Sequence, residues 1–226
     1  MQIFFFTSLS FAVPESYNTL LKRYVDPHGD VDYQGWKSDP LFPVLKKELE
    51  QYPKPKHDDA YWINMYNALT IQVVCDHLPI SSIRDIDAGK VWSHYQFSLS
   101  SGRYTLDQIE HEILRPRKDP RVHAALNCAS KGCPPLWNAI YQQQHLDQQL
   151  DAAVQRWFAR NAYKKSDKEL RLSKIFHWYA EDFQPSPLNF LRTHRPQEDW
   201  SQISSWEFME YDWSLNQKTN NEQGTR

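Results

Sequence analysis

The stretch WINMYNALTIQV, residues 62–73, decides the fold because its large apolar side chains return at the spacing of a helix. Five of them recur at steps of three and four residues: Trp62, Met65, Tyr66, Leu69 and Val73. This spacing predicts an amphipathic helix. Immediately before it, the proline-rich segment YPKPKHDD, residues 52–59, ends an earlier helix and offers an aspartate cap. The sequence therefore predicts a long helix that begins near residue 59.

Weaker patterns on both sides of this helix predict further short elements. Helical periodicity occurs at residues 16–26, 40–51, 106–114, 147–160 and 186–194. The stretch VWSHYQFSLSSGRYTL, residues 91–106, alternates apolar and polar residues around a Ser-Ser-Gly turn, which predicts a hairpin. Residues 170–183 predict a strand that runs into an aromatic helix. Helices and strands do not alternate regularly along the chain, which favours an α+β fold with several helices packed on a small antiparallel sheet. This class includes papain-like and permuted papain-like folds.

The domain organisation follows from chain length and from the two ends. The chain of 226 residues has the length of one domain, and we find no internal repeat and no linker. We predict a single globular domain over residues 13–216 and a disordered polar tail over residues 217–226. Residues 1–12 resemble a signal-peptide remnant, with an apolar stretch before small residues that fit a cleavage site. The prediction is a periplasmic or secreted protein, or a cytoplasmic one if this stretch is not a signal peptide.

Composition narrows the classes of partner. Against 26 Lys and Arg stand 28 Asp and Glu, a net charge of -2, so no overall positive field attracts nucleic acid. No later run reaches the roughly 20 apolar residues of a membrane helix, so we expect no integral membrane segment in the mature protein. We expect a small-molecule or peptide substrate and no cofactor. Composition leaves the oligomeric state open.

The segment RVHAALNCASKGCPPL, residues 121–136, is the predicted functional centre because it carries two of the three cysteines. Cys128 follows an apolar stretch and precedes small and polar residues, where a thiolate would be stabilised. It is then a nucleophile, with His111 or His123 as base, or a small buried apolar residue. Pairing with Cys133, which would leave Cys75 alone, and three free thiols are both open. A Cys-x4-Cys spacing is not that of a standard zinc site, so no metal is predicted.

Further polar and aromatic residues are candidates for the same site. Asn64 and Asn67, three residues apart on the long helix, would orient a catalytic imidazole or tie a loop to the helix. Candidate binding residues are Glu110, His123, Ser130, Trp62 and Tyr66.

Seven motifs taken together resemble the domain of unknown function 547 family. They are YWINMYNALTI, SSIRDI, YTLDQIEHEILRPR, DPRVHAALNCASKGCPPL, LDQQLD, LSKIFHWYAEDF and YDWSLN, in this order from about residue 31 to residue 216. The resemblance implies one intact domain, frequently exported in bacteria, with characteristic residues Asn64, Asn67, His111, Cys128 and Ser130. The chain departs from the family's HFAL with HAAL before the NCAS motif, and distant plant relatives replace Cys133, which makes Cys128 the better nucleophile candidate.

Two functions compete. The first is a thiol-dependent hydrolase or acyltransferase acting on an amide or thioester bond of a small peptide-like substrate. There Cys128 is the nucleophile, His111 the general base, and an Asn or Glu orients the base. The second is a non-catalytic ligand- or protein-binding module with structural cysteines, whose cleft is lined by four aromatic residues: Trp62, Tyr66, Trp178 and Tyr179.

Overall fold

The structure is a computed structural model that describes residues 13–56 and 58–219. The predicted signal peptide at residues 1–12, and residues 220–226 of the predicted tail, lie outside the described residues. Within the described ranges the helices are α1 Glu15–Tyr24, α2 Tyr33–Ser38, α3 Leu41–Gln51, α4 Asp59–His77, α5 Val91–His94, α6 Val122–Ala125, α7 Leu146–Arg160, α8 Ile175–Trp178 and α9 Pro187–His194. The 3₁₀ segments Ile83–Gly89, Arg115–Arg117 and Gln143–His145 and the π-helix Gln108–Leu114 join them.

Helix α4 is the long helix that residues 62–73 predict, and it begins where expected. The Asp58 carboxylate caps it by accepting from the Tyr61 backbone N–H at 2.8 Å. The amphipathic prediction is wrong, however, because residues 60–71 are buried on every side of the helix. A helix that is buried all round belongs in the core. Its polar residues therefore need partners inside the protein rather than solvent.

The predicted small sheet is present as two separate sheets. Strands β1 Phe97–Leu99 and β2 Gly102–Tyr104 form the antiparallel hairpin, whereas the preceding residues of that predicted strand form α5. Strand β3 Tyr163–Lys165 pairs antiparallel with β4 Leu170–Leu172, and β4 pairs parallel with β5 Glu207–Phe208. The α+β class is confirmed, but the sheet is not wholly antiparallel. Helix α2 and the π-helix Gln108–Leu114 pack against α4.

The remaining predicted helices are confirmed with small shifts at their ends. The strand and aromatic helix predicted at residues 170–183 are β4 and α8, and the last predicted helix is α9, capped by Ser186. The helix predicted at residues 106–114 contains the π-helix Gln108–Leu114. Such wider turns are rare and often occur at functional sites.

The C-terminal segment closes the fold by pairing with Val31 near the start of the domain and with Ala129 in its middle. The Val31 N–H donates to the Asn216 carbonyl at 2.8 Å, and the Asn216 N–H donates to the Ala129 carbonyl at 3.1 Å. The Lys218 N–H then donates to the Val31 carbonyl at 2.9 Å, so ordered pairing extends past the predicted boundary at residue 216. In the described part of the chain, no helix is both long enough and apolar enough to cross a bilayer.

Candidate functional site

A cleft of about 250 Å³ lies where several of the distant motifs converge. Its chemically informative lining is six aromatic rings, two carboxylates, one imidazole and two sulfurs: Tyr66, Trp92, Trp178, Tyr179, Tyr211, Trp213, Asp107, Glu110, His123, Cys128 and Cys133. The rings come from α4, α5, α8 and the C-terminal segment. A single cleft therefore gathers residues that lie up to almost 150 positions apart in the sequence.

The two cysteines form a disulfide on the wall of this cleft. Cys128 and Cys133 are bonded through their sulfurs, with their Cα atoms 6.1 Å apart, and Cys75 is free and buried. The chain reaches this arrangement by leaving α6 and reversing at Ala129, which has a φ of 62°. In this disulfide Cys128 is not a free nucleophile, because a sulfur in a disulfide is not a thiolate. Of the pairings that the sequence leaves open, the structure has Cys128 with Cys133.

Polar groups surround both sulfurs. The Cys128 backbone N–H donates to the Cys133 sulfur at 2.9 Å, and the Tyr211 hydroxyl lies 3.2 Å from each sulfur. The Ser130 hydroxyl lies 3.3 Å from the Cys128 sulfur and 3.0 Å from the Tyr211 hydroxyl. Burial raises the pKa of Tyr211, so its hydroxyl keeps its proton and remains a donor.

Close packing fixes the Tyr211 ring beside the sulfurs. A Cβ atom at Gly132 would lie 2.9 Å from atoms of this ring, a distance that ordinary packing does not allow. The Gly132 N–H also donates to the Asp212 carbonyl at 2.9 Å. Glycine is needed at position 132 because the backbone approaches the tyrosine face directly.

Glu110 brings a buried carboxylate to the lining of the cleft. It is only 6% exposed, and the hydroxyls of Tyr66 and Tyr179 bond to it. Burial, followed by the effect of this carboxylate, raises the pKa of both tyrosines. Two tyrosine donors therefore compensate for the cost of burying Glu110.

His123 links the cleft to an ion-paired network. Its Nε2 lies 2.7 Å from Asp182 Oδ2, and its Nδ1 lies 3.8 Å from Glu110 Oε1. Arg115 binds the same Asp182 carboxylate through Nε at 2.6 Å and Nη2 at 3.1 Å. Although burial opposes it, hydrogen bonding from His123 and Arg115 holds the pKa of Asp182 well below its usual range. Asp182 thus stays ionised and orients the imidazole.

Several predicted site residues meet in the cleft. Glu110, His123, Cys128 and Tyr66 line it, and Ser130 lies directly behind the sulfurs. Trp178 and Tyr179, named for the binding-module alternative, line it as well.

His111, the predicted general base for Cys128, does not line the cleft. Its side chain is exposed, and its Nδ1 accepts from Arg115 Nη1 at 2.7 Å. Its ring lies 6.1 Å from that of Tyr179. The neighbouring residue Glu110 faces the cleft instead, because adjacent residues of a helix point in different directions.

Asn64 and Asn67 orient loops rather than an imidazole. Asn64 donates to the Tyr141 carbonyl at 2.8 Å and accepts from the Tyr141 N–H at 2.9 Å. Asn67 donates to the Ala125 carbonyl at 2.9 Å and accepts from the Asn127 N–H at 2.9 Å. Both amides thus tie loops to α4, which is the alternative that the sequence leaves open for them.

Trp62 also lies away from the cleft. It is buried, with its ring 5.0 Å from those of Tyr61 and Tyr104, and Lys54 lies over it at 5.2 Å. It therefore packs in the core and does not line the cleft.

Sequence reasoning missed five residues of the site: Trp92, Asp107, Asp182, Tyr211 and Trp213. All five stand in stretches discussed above: Trp92 in VWSHYQFSLSSGRYTL, Asp107 in YTLDQIEHEILRPR, Asp182 in LSKIFHWYAEDF, and Tyr211 and Trp213 in YDWSLN. These residues were therefore visible in the sequence, but no local spacing shows that their motifs lie beside the cysteines in the fold. Across the described ranges, no group of three or more His, Cys, Asp or Glu side chains is placed to hold a metal ion.

The middle of the chain matches the model of a known protein family. The model of the family described as "Protein of unknown function, DUF547" matches residues 50–158. No curated protein and no solved structure matches the chain. The matched range contains Glu110, His123 and both bonded cysteines, while Trp178, Tyr211 and Asp182 follow it. The resemblance to the domain of unknown function 547 family is therefore confirmed over residues 50–158.

Proposed function

We propose that this protein binds a small organic cation in the aromatic cleft. The observation that carries the proposal is the lining itself: six aromatic rings and the carboxylates Asp107 and Glu110, with no lysine or arginine among the described lining residues. The faces of aromatic rings attract cations, and cages of such rings recognise quaternary ammonium groups. The Arg84 guanidinium already lies 5.1 Å from the centre of the Trp213 ring, which supports the cation preference of this cluster.

The rings at the mouth of the cleft pack against one another and leave a face open. Trp178 lies 4.8 Å from Tyr211 and 5.6 Å from Trp213, and Trp92 lies 5.9 Å from Trp213. Trp178 is nevertheless 45% exposed, which is unusual for so large an apolar side chain. A ligand bound at this mouth would cover its open face.

The carboxylates explain why the ligand should be positive. Burial raises the pKa of Asp107, the charge of His111 lowers it, and the charge of the nearby Glu110 raises it again. A bound cation would relieve this repulsion between two like charges and so gain affinity from both. The cleft of about 250 Å³ is slightly smaller than the roughly 300 to 1,000 Å³ of drug-sized sites, so the ligand is a small amine or quaternary ammonium compound.

The binding alternative is better supported than the thiol-dependent hydrolase. The Cys128 sulfur is held in a disulfide, and the base assigned to it, His111, lies outside the lining. Binding in an aromatic cleft that is supported by Asn67 requires neither a free Cys128 thiolate nor a base at His111.

The test compares choline with 3,3-dimethyl-1-butanol, its uncharged analogue of the same shape, by isothermal titration calorimetry. We expect choline to bind at least tenfold more tightly, since only the charge differs. Trp178→Ala should weaken choline binding about two- to fivefold, the loss of one exposed cation–π contact of about 0.5–1 kcal/mol. Phe208→Ala is the matched control, because Phe208 is also exposed but lies outside the cleft. Equal affinity for the two compounds, or no binding of either, would contradict the proposal.

We also infer that the protein works in the periplasm or outside the cell. The Cys128–Cys133 disulfide supports this, because such bonds persist in oxidising compartments and are rare in the cytosol. Fractionation of cells that express the full chain tests it, and recovery of the protein with the cytosolic fraction would count against it.

A further inference from the structure

We propose that the Cys128–Cys133 disulfide is redox-active and exchanges with small aminothiols that bind in the cleft. The substrate class rests on the proposed binding of organic cations, whereas the reactivity of the disulfide rests on separate observations about the two sulfurs.

The two sulfurs differ in accessibility. Both cysteines line the cleft, yet Cys133 is only 4% exposed while Cys128 is partly exposed. A thiolate in the cleft would therefore attack the Cys128 sulfur, and Cys133 would leave. Access is one of the factors that decide which sulfur of a disulfide is attacked.

The leaving sulfur is surrounded by hydrogen-bond donors. The Cys128 N–H points at the Cys133 sulfur from 2.9 Å, and the Tyr211 hydroxyl lies 3.2 Å from it. A disulfide sulfur is a weak acceptor, whereas a thiolate accepts charge-assisted bonds that are roughly twice as strong as neutral ones. The same two donors thus stabilise the product of attack more than the starting bond, and a stabilised thiolate leaves faster.

The loop that carries the sulfurs is held independently of the disulfide. The Lys131 N–H donates to the Ser214 carbonyl at 2.9 Å, and the Asn127 side chain donates to the Pro134 carbonyl at 2.8 Å. Asn67 holds the Asn127 N–H from α4. Opening the disulfide therefore leaves the loop in place, as a reversible reaction requires.

The reaction balances without any further oxidant. The thiolate of one aminothiol attacks the Cys128 sulfur, the bond between the protein's sulfurs breaks, and Cys133 takes the electron pair as a thiolate. A second aminothiol attacks the mixed disulfide at the sulfur that came from the first aminothiol. This step releases a small disulfide and leaves Cys128 as a thiolate. The two thiols of the substrates are oxidised, the protein disulfide is reduced to two thiols, and the protons released by the substrates go to the protein sulfurs. A small disulfide such as cystamine reverses the sequence and restores the bond.

The first experiment locates the reactive sulfur by intact-mass and peptide-mass spectrometry. Cys133→Ser treated with cystamine should gain one cysteamine on Cys128, and Cys128→Ser should react at Cys133 at least tenfold more slowly. Burial raises the pKa of Cys75 to about 12, so this thiol should stay unmodified and serves as the internal control. Equal rates for the two variants, or faster reaction at Cys133, would overturn the assignment of Cys128 as the attacked sulfur.

The second experiment tests the substrate class with the oxidised wild-type protein. Cysteamine and the uncharged 2-mercaptoethanol are compared as reductants, each rate being divided by the rate of the same thiol with oxidised glutathione. We expect cysteamine to be favoured at least tenfold, and choline to inhibit it competitively. If choline binds but neither thiol opens the disulfide in the folded protein, the redox inference fails and the proposed binding function stands. If both thiols open it with equal normalised rates and choline does not bind, the aminothiol assignment fails together with the proposed function.

Discussion

Replacing Asn67 with alanine separates a structural role from a catalytic one, because α4 carries a matched control three residues away. Each of Asn64 and Asn67 makes two hydrogen bonds of 2.8 to 2.9 Å to backbone groups of a distant loop. Both side chains are almost completely buried. The two amides thus lose the same number and kind of contacts on truncation, but only Asn67 holds the loop that leads to Cys128.

The magnitude follows from the groups left without partners. Asn67→Ala removes the partners of the Ala125 carbonyl and the Asn127 N–H, and a buried unsatisfied group costs about 1–3 kcal/mol. We therefore expect each alanine variant to lower the free energy of unfolding by about 2–5 kcal/mol, with the lower end reached where water enters the gap. Asn64→Ala should match it, because Tyr141 loses the same pair of bonds.

The assay is urea unfolding followed by circular dichroism, with linear extrapolation to water. Choline affinity is measured on the folded fraction of each variant. We expect Asn67→Ala to weaken choline binding and Asn64→Ala to leave it unchanged, since only the former loosens the cleft wall. A loss of stability below about 0.5 kcal/mol for Asn67→Ala would refute the reasoning, since surface substitutions alone produce changes of that size.

Three further changes test other parts of the site. Gly132→Ala should cost about 1–3 kcal/mol of stability, because its Cβ would lie 2.9 Å from the Tyr211 ring; unchanged thermal unfolding would contradict this packing. Reducing the Cys128–Cys133 bond should lower stability by only about 2 kcal/mol, the value for so short a loop, and global unfolding by a reductant would show that the loop depends on the bond. The lowered pKa of Asp182 stabilises the fold above the ordinary carboxyl pKa of 3.8, and this contribution is lost as the pH falls from there towards the folded pKa. Asp182→Asn should therefore make stability depend less steeply on pH in that acid range, and identical pH profiles in urea unfolding would contradict the ion pair.

Local chemistry in the sequence was sufficient to predict most of the elements. The Asp58 cap begins α4 as expected, and the turn between Ser100 and Gly102 closes the β1–β2 hairpin. Each of these features depends on residues within a few positions of one another, so it can be read without knowledge of the fold. The burial of α4 on all sides could not be predicted in this way, because it depends on helices and loops that pack around α4 from the rest of the chain.

The position of Glu110 shows why the site was harder to predict than the fold. Sequence reasoning favoured His111 as the base, but neighbouring residues of a helix point apart and the sequence does not show which one faces inward. The helical phase is also altered here, because residues 108–114 form a π-helix instead of an α-helix. Tyr211 was missed for another reason: it reaches the sulfurs from more than 75 residues away along the chain.

His111 nevertheless belongs to the support of the cleft, because it contacts Arg115 and its ring lies 6.1 Å from that of the lining residue Tyr179. Arg115 donates to His111 and to Asp182, and Asp182 in turn holds the ring of His123. This chain of contacts joins an exposed imidazole to a buried one, and the buried one lies beside Glu110. A change at His111 would therefore act on the cleft indirectly, through Arg115 and through the Tyr179 ring that lies 6.1 Å from its own. His111→Ala should leave Cys128 as the site of reaction, and the two cysteine variants described above can verify this. A base that acted directly on Cys128 would be required for the reaction itself, so its removal would abolish the reaction.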